Sequence, residues 1–182
     1  PWFESMDGDP PFFLWKKLLA PYPVTLAAGL EMNMGGGVVD PETAVGAALV
    51  ALHGGADCLY VFNYYPTSWC KDWPAGKYEA TLRAMSSIEA LERLGRCHKV
   101  ARQDLFAPGE TEGRPLPATG TRLFFRLATG PRPAGKSGTL VLATTPPDGA
   151  GLRAPDLRVN GAVCALRPNA DGSPPRMGMD GV

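Results

Sequence analysis

Two short runs almost free of charge flank an alanine-rich segment, and that spacing constrains this chain most. The first is Val24-Thr25-Leu26-Ala27-Ala28-Gly29-Leu30, the second Cys58-Leu59-Tyr60-Val61-Phe62. Short continuous apolar runs bounded by Pro23, the Gly35-Gly36-Gly37 cluster and Gly54-Gly55 read as strands buried on both faces, as in a parallel sheet. Between them Asp40 can cap a helix, Pro41 suits its first position and Glu42 complements its dipole. Ala44 through Leu52 then continue the helix, which stops at Gly54-Gly55 after His53. Strand, helix and strand in that order predict a parallel pair with a crossover helix.

The same alternation extends on both sides. Phe12, Phe13, Trp15, Leu18 and Leu19 follow Asp9 and Pro10-Pro11, predicting a helix with one apolar face. Beyond a loop with Trp69 and Trp73, Leu82, Met85, Ile88, Leu91 and Leu94 predict one long helix over about Lys77 to Leu94. Periodicity does not separate a closed barrel from an open doubly wound sheet, and two strands are too few for either. The chain opens at Pro1 without a Met and reads from its first residues as the middle of a fold, so further strands are expected upstream.

From Ala107 onward turn residues crowd in and the pattern changes to short strands, at 121–127, 139–144, 157–159 and 162–166. Asn160-Gly161 is a strong signal for a type I′ hairpin. The segment from Asn169 to Val182, rich in Gly, Pro and Met, reads as a frayed, flexible tail. The organisation expected is therefore residues 1–100 as an α/β portion, 101–118 as a linker, 119–168 as an all-β appendage in the form of a partial antiparallel β-sandwich, and 169–182 as the tail.

Charge and cysteine usage exclude several classes. Lys and Arg total 18 against 18 Asp and Glu, so no basic surplus points to nucleic acid. No apolar run approaches the ~20 residues of a membrane span. Localisation stays open. Cys58, Cys70, Cys97 and Cys164 form no C-x-x-C pair and only two histidines accompany them, so neither a zinc site nor another metal is expected. Two disulfides are open to an exported protein, although Cys58 in its apolar run reads better as a buried free thiol. Residues 130–137, Gly-Pro-Arg-Pro-Ala-Gly-Lys-Ser, match the P-loop letter for letter. The phosphate cradle needs a helix after the loop, whereas Gly138 to Thr144 is strand-like, and Pro131 and Pro133 remove two loop amides. A loop between antiparallel strands is the expectation, with no cofactor.

The stretch Gly54-Gly55-Ala56-Asp57-Cys58-Leu59-Tyr60-Val61-Phe62-Asn63-Tyr64 resembles the last strand of bacterial TIM-barrel glycoside-hydrolase-like proteins, in which a Gly-Ala-Asp turn leads into a strand closing on a Phe-Asn step. The strand ending at Glu31, the long helix and the later Leu-Arg-Val-Asn-Gly hairpin follow the same plan. The resemblance implies the last two β/α units of a (β/α)8 barrel plus the β-rich appendage. It places Glu31 and Asn63 at the ends of the seventh and eighth strands, at the face where barrel active sites lie. Glu31 would then be the catalytic nucleophile, with a second carboxylic acid about 5 Å away in a retaining enzyme, supplied by an upstream strand. Asn63, Tyr64, Tyr65, Trp69 and Trp73 would bind the carbohydrate substrate. The partners implied are that carbohydrate and the remainder of the barrel, without which the fragment is expected to be inactive.

Plainer readings stand beside these. Glu31 also reads as a solvated strand-end carboxylate, and Trp69 and Trp73 as loop anchors packed on the helix below. Asp57 reads as a turn cap, His53 as a complement to its helix dipole, and His98 has no evident partner. The leading expectation is a glycan-processing hydrolase. The alternative is a carbohydrate-binding or structural barrel that kept the scaffold without the chemistry.

Overall fold

The structure is a computed structural model describing residues 8–34, 37–62, 75–100, 106–111, 124–135, 137–141, 156–167 and 176–179. The chain divides into two compact units, Pro1–Arg132 and Pro133–Val182. The division falls later than the composition change at Ala107, because residues 124–132 belong to the first unit.

In the first unit, α1 (Phe12–Leu19) precedes β1 (Ala27–Glu31), and a short hairpin of β2 (Asn33–Met34) and β3 (Gly37–Val38) leads into α2 (Pro41–His53). β4 (Cys58–Phe62), α3 (Ala75–Ala84) and α4 (Ile88–Glu92) follow. β1 and β4 pair in parallel from Ala27 opposite Cys58 to Glu31 opposite Phe62, with α2 as the connection between them. The expected strand–helix–strand unit is therefore formed.

The reasons are local. Asp40 caps α2: its carboxylate accepts the Thr43 amide at 2.8 Å and the Thr43 hydroxyl at 2.6 Å. Small side chains then let α2 lie close to its neighbours. Ala44, Val45, Ala48 and Leu49 are all buried, together with Leu30 and Met32 from the β1 segment and Met85 and Leu91 from the α3–α4 region. A second cluster joins Phe12 of α1 to Ala28, Ala51 and Ala56. Gly46 lets the chain at Cys97 approach so closely that a Cβ there would lie 2.1 Å from the Cys97 carbonyl oxygen.

Several expectations for this unit are corrected. Among the described residues helices cover one face of β1 and β4, the side of Ala28, Leu30, Leu59 and Val61; Ala27, Gly29, Cys58, Tyr60 and Phe62 on the other face are exposed. Cys58 is accordingly an exposed free thiol and not a buried one; Cys97 and Cys164 are also free. The single helix over Lys77 to Leu94 is two. Ser87 takes an extended conformation (φ −152°, ψ 136°) and its hydroxyl accepts the Ala90 amide at 3.1 Å, which starts α4 afresh. Met85 and Leu91, on either side of the break, are buried, whereas Leu82 within α3 is 43% exposed.

Residues 124–127, expected as part of a strand, are irregular here, with Phe124 and Phe125 exposed. They are tied down differently: Arg126 pairs with Asp9, the Ala128 amide donates to the Gly8 carbonyl at 2.8 Å, and Arg96 donates to the Pro131 carbonyl at 2.5 Å.

In the second unit β5 (Gly138–Val141) and β8 (Leu166–Arg167) flank β9 (Arg176–Met179) in an antiparallel sheet. β9 lies within the segment expected to be a frayed tail, which is corrected: the strand pairs with β5 on one edge and β8 on the other. β6 (Arg158–Val159) and β7 (Ala162–Val163) form a separate hairpin. Asn160 at φ 50° and Gly161 at φ 86° give it the two left-handed turn residues of type I′, as the sequence predicts. Among the described residues no helix is long and apolar enough to cross a membrane.

Candidate functional site

The carboxyl ends of β1 and β4 lie side by side, and the sequence-predicted Glu31 is on that rim. It stands opposite Phe62 in the parallel register, and the Met32 amide donates to the Phe62 carbonyl at 3.1 Å just beyond. The β2–β3 hairpin then turns the chain back, with the Val39 amide on the Met32 carbonyl at 3.0 Å, and delivers it to the Asp40 cap. A strand end, a short hairpin and a helix start thus frame the position of Glu31.

Strand alternation decides which face it uses. Ala28 and Leu30 are buried toward the helices, whereas Ala27, Gly29 and Glu31 alternate onto the opposite side. On β4 the matching residues are Cys58, Tyr60 and Phe62. Glu31 is half-buried, while Tyr60 is 60% exposed and Phe62 38%. The two rings lie with centroids 6.3 Å apart and planes inclined by 27°. The open face therefore carries small residues on β1, aromatic rings on β4 and a carboxylate at its upper end. Aromatic faces suit the C–H surfaces of a sugar ring, and a carboxylate beside them can act as nucleophile, base or hydrogen-bond acceptor.

Asn63, Tyr64, Tyr65, Trp69 and Trp73 lie outside the described residues. Tyr60 and Phe62 were not singled out from the sequence as site residues, yet both share the face of Glu31. The signal was present: along β4 the aliphatic Leu59 and Val61 alternate with Cys58, Tyr60 and Phe62, and only the aliphatic pair packs on the helical side.

Several described carboxylates of the first unit help to hold the fold. Burial raises the Asp40 pKa, but hydrogen bonds from Thr43 and Lys99 outweigh it and hold the carboxyl below its ordinary value. Lys77, 2.6 Å from Glu42, holds that carboxyl low in the same way. Asp57 does more than cap its turn: it binds Lys16 and accepts the Leu26 amide at 2.9 Å, which ties the start of β4 to α1 and to the entry of β1. The pairing with Lys16, and then the Leu26 amide, lower its pKa. His53 meets Glu92 at 3.1 Å. His98 is largely buried, with neither ring nitrogen hydrogen-bonded; burial, and then the charge of Arg96, push its pKa down to about 4.

Among the described residues no group of three or more His, Cys, Asp or Glu side chains is arranged to hold a metal ion. After the P-loop-like stretch, Ser137 leads directly into strand β5, so the helix N-terminus that a phosphate cradle requires is not there. No described strand precedes that stretch, so the expected loop between antiparallel strands is corrected as well: β5 pairs with β9. No protein-family model matches the chain, and no curated protein matches it significantly.

Proposed function

We propose that the chain is the closing part of a (β/α)8 barrel of glycoside-hydrolase type, followed by a β-sandwich-like appendage, with Glu31 as a catalytic carboxylate. One observation carries the reading. Glu31 ends a parallel strand on the face turned away from the crossover helix, beside an aromatic residue of the next strand. In a closed barrel that face is the interior and that end is the catalytic one. The substrate is a carbohydrate, bound along the rim by Phe62 and by the residues that follow it. The acid partner of Glu31 is supplied by other strands of the same polypeptide, so residues 1–182 by themselves do not turn over substrate.

The test compares the full-length protein with its Glu31→Gln variant on a panel of aryl glycosides and oligosaccharides. Turnover by the parent, and its loss by several orders of magnitude in the variant, is the expected result. Equal turnover in both removes Glu31 as nucleophile. Sugar binding without turnover in either replaces the enzyme by a non-catalytic carbohydrate-binding barrel.

A further inference from the structure

The second unit contains a chemically reactive peptide link whose surroundings leave it open to reaction. Asn160 and Gly161 form the two-residue turn of the β6–β7 hairpin, and both are exposed. Asn160 is the sole non-glycine at positive φ among the described residues. Of the four asparagines in the chain, at positions 33, 63, 160 and 169, only this one precedes a glycine. Nothing among the described residues hydrogen-bonds the Asn160 carboxamide or the Gly161 amide. Gly161 has no Cβ, so its nitrogen approaches the preceding side chain without steric hindrance.

We infer that Asn160-Gly161 is a site of spontaneous modification, deamidation through a cyclic imide, gated by opening of the hairpin. The backbone nitrogen of Gly161 loses its proton and attacks the side-chain carbonyl carbon of Asn160. A nitrogen–carbon bond forms, the carbon–nitrogen bond of the carboxamide breaks, and ammonia leaves with the proton it needs. Water then adds to one of the two imide carbonyls and reopens the ring. Opening at one carbonyl leaves an ordinary aspartate; opening at the other leaves a β-linked isoaspartate with one additional atom in the backbone.

The turn slows the first step, because the left-handed pair at 160 and 161 is held by the hairpin and ring closure requires rotation about the Asn160 backbone. That restraint is weak. The ladder consists of the pairs Arg158 with Val163 and Val159 with Ala162, extended by the Cys164 amide on the Leu157 carbonyl at 2.9 Å. A two-stranded hairpin of this length opens readily. Once isoaspartate forms, the additional backbone atom no longer fits a two-residue turn, so the register of both pairs is lost and reclosure is prevented. The product also carries a new carboxylate two residues from Arg158.

The experiment incubates the purified chain at mildly alkaline pH, folded and in concentrated urea, and follows residue 160 by peptide mapping that separates aspartate from isoaspartate. Both products are expected to accumulate at 160 in the folded chain, faster than any change at the other three asparagines. In urea the reaction runs on the order of tenfold faster. Asn160→Gly, which keeps a turn-compatible residue and lacks the carboxamide, forms neither product while retaining the hairpin. An intact Asn160 in the folded chain, alongside reaction in urea, overturns the site. Equal rates in the two conditions overturn the gate.

Discussion

Acidification from about pH 7 to about pH 5 is expected to weaken the first unit through His98. The imidazole is largely buried with both nitrogens unpartnered, and burial together with Arg96 lowers its pKa from 6.5 to about 4. The folded state therefore stays neutral while the unfolded chain takes up a proton. The unfolded state binds more protons between pH 6.5 and about 4, so stability is fully present above that window and is lost as pH falls through it. With the ring wholly shielded from water the fold would lose about 2 kcal/mol between pH 7 and pH 5; solvent reaching part of the ring reduces this to about 1 kcal/mol. Asp40 and Glu42, whose pKa values are depressed from 3.8 and 4.5, keep their contributions above those values and lose them only at lower pH. Urea unfolding followed by tryptophan fluorescence across the window measures the slope, and His98→Leu, which retains His53, removes the titrating group. The native protein is expected to lose stability and the variant to stay flat. An equal slope in both, or an NMR titration of His98 near its ordinary value, would refute the burial account.

Other predictions concern packing and exposure. Gly46→Ala ought to gain helix propensity of about 1 kcal/mol but loses more, about 1–3 kcal/mol net, because its Cβ would meet the Cys97 carbonyl at 2.1 Å; the shift of the urea midpoint reads the sign. Asp40→Ala removes the cap on Thr43 and the contact with Lys99, costing about 1–2 kcal/mol, whereas Asp40→Asn retains most of the cap; thermal melts of the two variants distinguish capping from charge. On the barrel reading proposed above, Cys58 reacts with a thiol reagent in residues 1–182 alone and is protected in the longer polypeptide that this reading requires; reaction at the same rate in both, read by peptide mapping, contradicts a barrel interior at that face.

The parts of this fold legible in the sequence were those decided by a few neighbouring residues. Asp40, Pro41 and the Gly54-Gly55 stop fix α2 without help from distant chain, and Asn160-Gly161 fixes its turn in the same way. The break between α3 and α4 shows where such reasoning fails. Leu82, Met85, Ile88, Leu91 and Leu94 keep helical spacing across it, but Ser87 offers its hydroxyl to the Ala90 amide, and a local cap outweighs an extended apolar period. β9 was missed for the opposite reason: its partners β5 and β8 both lie outside Asn169 to Val182, β5 far from it in sequence, and no pattern within that segment records the pairing.

Burial of the parallel pair required a different kind of information. An uncharged run tells that a strand avoids water, and not which surfaces cover it. Leu59 and Val61 pack toward the helical side, and Ala28 and Leu30 are buried there, so half of the expectation was local and correct. The other half concerned Ala27, Gly29, Cys58, Tyr60 and Phe62, which are exposed. A sheet of two parallel strands with one bare face is an unusual arrangement, since parallel sheets ordinarily have both faces covered. The small residues of β1 beside the rings of β4 have the composition of a packed interior and not of a solvated surface. Glu31 is the exception on that face, and it occupies the end of the strand, where a carboxylate can keep contact with water while its neighbours are covered. That placement ties the candidate chemistry to the cover: in the barrel proposed above, the strands that close over Tyr60 and Phe62 also set the polarity around Glu31, and with it the reach of its carboxylate.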